Sequence, residues 1–115
     1  MSSQKMVLAI PTNGEMGLED FVSDVFGKSS TFTVMKIEDK QIKDIKILEN
    51  PAKSYEHGAG PIAVKMLVDH GVNMIIAGKL GIGASSLLKQ YSIKKISTNT
   101  GISVKEAILK VGVKI

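Results

Sequence analysis

The chain of 115 residues has no cysteine, no tryptophan and no arginine, and it has only three prolines. Without cysteine there can be no disulfide, thiolate nucleophile, cysteine-held zinc or conventional iron–sulfur ligation. Without arginine the usual bidentate reader of DNA bases is missing. Three Phe and two Tyr leave few rings for stacking single-stranded bases. No nucleic-acid partner is expected. The longest apolar runs are far too short to cross a bilayer, so no membrane partner is expected either. No charged-then-apolar leader is legible, and the expected location is the cytoplasm.

What remains is a hydrophobic fraction of 43%, carried by Ile, Val, Leu, Met and Ala. That is enough for a core, and the length fits a single domain spanning 1–115. The net charge of +4 is unevenly distributed. Up to Ser92, ten lysines balance ten acidic residues. From Ile93 onward, five lysines face Glu106 alone. This basic C-terminal third reads as a solvated surface or as a docking face for an acidic partner.

Met6–Ile10 is a short apolar run that Pro11-Thr-Asn-Gly14 is expected to stop. Residues 14–30 read as a loop with one helical turn. Thr31–Ile37 alternates as a strand, and Glu38-Asp-Lys40 is a polar turn. In Gln41–Leu48 the alternation slips, which predicts a bulge near Lys43 or Asp44. Pro61 suits the first turn of a helix that Gly71 ends. His70, at that helix's C-terminus, is expected to cap carbonyls or meet the dipole. Val72–Ala77 reads as a strand covered on both faces. A helix over 84–90, a strand over 93–97 and a helix from Ser103 follow, with Ser103 and Glu106 as a capping box. The order β, β, β, α, β, α, β, α predicts a mixed sheet with helices on its faces.

Two glycine-rich strand-to-helix junctions stand out: His57-Gly-Ala-Gly60 and Gly78-Lys-Leu-Gly-Ile-Gly83. Such junctions leave helix N–H groups free for an anion. The second is not a phosphate loop, since no Gly-Lys-Ser/Thr follows, and its glycine spacing is not the dinucleotide fingerprint. Close packing in a tight turn explains the glycines equally well.

Ala9-Ile-Pro11, Phe26-Gly27, Glu49-Asn-Pro51, the His57–Gly60 loop and Ile76-Ala-Gly78 with Gly81, in this order, resemble the dinitrogenase iron–molybdenum cofactor biosynthesis family. The resemblance runs from about Lys5 to about Leu109. It implies a ribonuclease H-like α/β fold, with five strands ordered 3-2-1-4-5 and the second strand antiparallel. It also implies kinship with small proteins that bind or carry the nitrogenase metallocluster or its precursors. Members that bind the cluster look to have a histidine just before the Phe-Gly pair. Here that position is Val25, which cannot ligate a metal.

The implied strand order brings the loops after the first, third, fourth and fifth strands to one edge. Ligands of open α/β sheets bind at such an edge, near the reversal of strand order. The candidate ligand-binding residues there are Thr12, Asn13, Gly58, Gly60, Gly78, Lys79, Gly81 and Asn99, and the candidate metal ligand is His57. A nuclease, though suggested by the fold, needs clustered carboxylates for metal ions, and neither the first nor the fourth strand carries any. No Gly-x-Ser-x-Gly elbow is present. The expectation is a non-enzymatic carrier of an anionic cluster of iron–sulfur or iron–molybdenum type, a precursor or a small ligand. A metallocluster donor or acceptor protein would be its partner. The alternative is a protein–protein adaptor that docks through its basic C-terminal third.

Overall fold

A computed structural model describes residues 5–114. Five strands form one sheet: β1 (Lys5–Thr12), β2 (Thr31–Glu38), β3 (Gln41–Glu49), β4 (Met74–Ala77) and β5 (Lys94–Ser97). Their order is β3-β2-β1-β4-β5. β2 runs antiparallel to β1 and β3, whereas β4 is parallel to both β1 and β5. This is the ribonuclease H-like arrangement. Three helices complete it: α1 (Ala59–Asp69), α2 (Ile82–Gln90) and α3 (Val104–Lys110), with a 3-10 turn at Gly17–Glu19.

Successive strand residues point to opposite faces, so each strand feeds two cores. Ala9, Phe32, Val34, Ile75 and Ala77 pack on one face with Ala63, Val64 and Leu67 of α1 and Ala84 and Leu88 of α2. Leu8, Ile10, Met35, Ile37 and Ile76 pack on the other with Val104, Ala107 and Ile108 of α3. β4 reads as continuously apolar because Ile75 and Ile76 serve different cores.

The bulge falls at Lys43: Lys36 pairs with Asp44 and Ile37 with Ile42, leaving one residue over. Ser103 caps α3 by accepting from the Glu106 N–H at 3.0 Å. His70 Nδ1 meets the Met66 carbonyl at 2.9 Å, closing the last turn of its own helix.

Three boundaries differ from the sequence reading. β1 continues through Pro11 to Thr12. Proline lacks an N–H, but here its backbone faces away from β2, and β4 pairs with β1 only at Leu8 and Ala9. No ladder bond is lost, and the Pro11 carbonyl accepts from Ser23 instead. α2 begins at Ile82 rather than at Ala84, whereas α1, beginning at Ala59, holds Pro61 in its first turn as expected. Each helix is entered through a glycine, Gly58 at φ 74° and Gly81 extended, and at α2 that turn comes earlier than side-chain periodicity could indicate. β4 starts at Met74 because Asn73 is engaged with Val7: their backbones bond, and the Asn73 side chain accepts from the Val7 N–H.

Candidate functional site

The parallel directions of β1, β3, β4 and β5 bring their C-terminal loops to one edge, where a groove of about 360 Å³ opens. Its walls come from three places. The Asp24–Lys28 segment leads into β2. Gly58, Gly60 and Pro61 begin α1. Lys79, Gly81, Gly83 and Ala84 lead into α2. Two helix N-termini thus meet at one concavity, and neither has a side-chain cap.

Glycines make the meeting possible. A Cβ on Gly27 would lie 2.6 Å from the Gly60 nitrogen and 2.9 Å from its Cα, closer than any real side chain approaches backbone. The loop before β2 therefore lies directly on the first turn of α1. A Cβ on Gly60 would lie 3.3 Å from that of Ala84, and one on Gly83 would lie 3.4 Å from the Pro61 ring. Small residues let the two helices start side by side.

The consequence for hydrogen bonding is asymmetric. At α1, Pro61 has no N–H, Ile62 donates to Gly58 and Gly27 covers the Gly60 nitrogen. At α2, Ser85 donates to Gly81, while the amides of Ile82, Gly83 and Ala84 belong to the open first turn. α2 is the better anion donor of the pair, and its dipole adds positive potential there. Lys28 and Lys79 contribute cations and Asp24 one anion. Phe26 closes the floor, 4% exposed, with its ring edge-on to Phe32 at 5.2 Å.

The loop before β2 is held by Asn50, which is 1% exposed. Its amide donates to the carbonyls of Gly27 at 2.8 Å and Ser29 at 2.9 Å, and its oxygen accepts from the Ala52 N–H. The sequence places Asn50 merely at the end of a strand. In the fold it ties the segment after β3 to the wall of the groove.

The expected site residues divide. Gly58, Gly60, Lys79 and Gly81 line the groove. Thr12 is fully buried, its hydroxyl spent on Thr31 at 2.6 Å and Thr33 at 3.1 Å within the sheet. Asn13 is exposed but does not line the groove. Gly78 is tight against Thr100, where a Cβ would sit 2.6 Å from Cγ2. Asn99 faces a separate open depression with Ser97, Thr98 and Lys110. His57 is exposed, next in sequence to Gly58 yet not itself a lining residue. Among the described residues no three His, Cys, Asp or Glu side chains gather as a metal site. Lys28 and Asp24 also line the groove, though neither is among the expected site residues. Their only sequence signal is proximity to Phe26-Gly27.

Such a fold, a five-stranded mixed sheet with a glycine-lined groove between two helix starts, is that of a small α/β domain. The chain belongs to the dinitrogenase iron–molybdenum cofactor family, whose sequence profile matches residues 4–113. An uncharacterised protein of Methanocaldococcus jannaschii is 33% identical over 103 residues, covering 90% of this chain and 82% of that one. Among solved structures, a Thermotoga protein described as a putative NifB protein is 32% identical, with a TM-score of 0.75 over 93% of this chain and 89% of its own. The apo form of the orange protein from Desulfovibrio gigas is 25% identical, with a TM-score of 0.82 over 96% and 89% of the two chains. Among the described residues no helix is long and apolar enough to cross a membrane.

Proposed function

We propose that this protein is a non-enzymatic carrier that holds an anionic metallocluster, a cluster precursor or a small anion in the groove between the N-termini of α1 and α2. The supporting observation is the pair of uncapped helix starts opening on one concavity that also carries Lys28 and Lys79. Membership of the cofactor family supports the class of cargo. With no cysteine and no cluster of ligating side chains among the described residues, the hold is by amides and charge rather than by a cage of metal bonds. Retention without such bonds suits a carrier, because cargo held this way can be released. His57, exposed beside Gly58, is the side chain we assign as a metal ligand at the rim.

Elemental analysis and an absorption spectrum of protein purified without oxygen test this. The expected result is metal that co-elutes with the protein. In Lys79→Glu, where a carboxylate replaces a cation beside the α2 amides, retention should fall roughly tenfold. His57→Ala should lower retention if the imidazole ligates, and unchanged retention removes His57 from the site. Protein that carries no metal and binds neither molybdate nor phosphate would end the carrier reading.

A second reading has one observation behind it. Lys94 and Lys95 are exposed on β5, at the edge of the sheet, with Lys105, Lys110 and Lys114 also exposed. An acidic protein could dock there. Such a contact should weaken steeply with salt. The plainer role of edge lysines is to discourage strand-to-strand aggregation.

A further inference from the structure

We infer that Asn13-Gly14 is a site of spontaneous covalent modification, at which Asn13 converts to aspartate and isoaspartate. The chemistry is intramolecular. The backbone nitrogen of Gly14 attacks the side-chain Cγ of Asn13, forming a succinimide ring and expelling ammonia. Water then opens the ring at either carbonyl, giving aspartate or the backbone-extended isoaspartate. No metal, oxidant or enzyme is required, only a nucleophilic amide unhindered by a following side chain and a backbone free to curl.

The four asparagines of the chain differ on each of these counts. Asn50 is followed by Pro51, which has no N–H to attack, and its side chain is locked by three hydrogen bonds. Asn73 precedes Met74, and its side-chain oxygen is held by the Val7 N–H at 3.0 Å. Asn99 is exposed, but the β-branched Thr100 follows and crowds the approach. Asn13 alone precedes glycine. It lies exposed in a bend just past the end of β1, and among the described residues no hydrogen bond holds its side chain; the next carbonyl, that of Gly14, accepts from the Thr31 hydroxyl.

The modification has a structural consequence because of what lies beside it. A Cβ on Gly14 would sit 3.3 Å from Oδ2 of Asp20, so that carboxylate abuts the reacting backbone. Asp20 is 3% exposed and pins the loop, accepting from the Met16 N–H at 3.1 Å and the Phe21 N–H at 2.8 Å. A new negative charge one residue from Gly14 opposes this arrangement, and the isoaspartate form also lengthens the backbone there. The Met16 and Phe21 amides are the bonds that should loosen.

The test incubates the intact full-length protein in mildly alkaline buffer and follows it by intact mass and peptide mapping. The expected result is a gain of one mass unit confined to the Asn13 peptide. It should proceed an order of magnitude faster than any change at Asn73 or Asn99, with an isoaspartyl product that accepts a methyl group from S-adenosylmethionine in the presence of an isoaspartyl methyltransferase. Asn13→Gln, whose longer side chain closes the ring slowly, should hold the mass constant. Asn13→Asp should speed hydrogen exchange at the Met16 and Phe21 amides. An unmodified Asn13 peptide, or conversion no faster than at Asn99, overturns the assignment. Unchanged exchange in Asn13→Asp overturns the coupling to Asp20.

Discussion

Gly27 carries more of the site than any charged residue does. Its backbone lies against Gly60, and a methyl group added there would have to displace the start of α1. Gly27→Ala should therefore cost about 2 kcal/mol, the usual scale for overpacking against backbone that cannot yield. A shift of the urea midpoint with an unchanged slope would register it. Asn50 acts on the same wall from beneath. Asn50→Ala leaves the Gly27 and Ser29 carbonyls and the Ala52 N–H without the partner they now share. A loss of roughly 3 kcal/mol in unfolding free energy is expected, larger than for a surface asparagine such as Asn99. A loss within experimental error would mean that water takes over these bonds. At this scale the sequence was legible in type but not in role. A glycine before a strand and an asparagine after one look like ordinary punctuation until the fold brings them together, 23 residues apart in the chain.

At the scale of elements, periodicity located all five strands and all three helices. What it missed were ends set by backbone rather than by side chains: Pro11 inside β1, and the glycine-initiated start of α2. α3 starts where its capping box indicated, because there a side chain makes the cap. Ser103→Ala should destabilise the protein by about 1 kcal/mol, visible as a lower unfolding temperature. The contact between α1 and α2 rests on Gly60 against Ala84, with Ala84 2% exposed. Ala84→Leu should push the helix starts apart, costing about 1–3 kcal/mol. It should also weaken anion binding out of proportion to its effect on stability, because the α2 amides would no longer share a wall with Pro61. If molybdate or phosphate binds the folded variant as it binds the unaltered protein, the groove does not depend on that contact.

Over the whole molecule, one chain direction shared by β1, β3, β4 and β5 gathers four loops to one edge. The grouping is real, but the loops do not contribute equally. The first supplies Asn13 and the last Asn99, both away from the groove, whereas the loop before β2 supplies Asp24, Phe26 and Lys28. A site drawn from C-terminal strand ends alone omits this segment, because it precedes its strand. If the groove holds anions by amides and lysines, affinity should fall as salt rises, more steeply for the unaltered protein than for Lys79→Glu. Equal slopes would remove Lys79 from the contact.

The sequence by itself excluded disulfides, thiolate catalysis and cysteine-held clusters, since the side chains they need are not in it. It also determined the elements, because the alternation of apolar residues is local and each core face reads it directly. The tertiary structure alone decided which glycine amides remain open and which are covered. It likewise decided that the Thr12 hydroxyl belongs to the sheet and that Gly27 roofs the start of α1. Those outcomes depend on distances of a few ångströms between segments remote in the chain, and a linear string of residues carries no record of such distances.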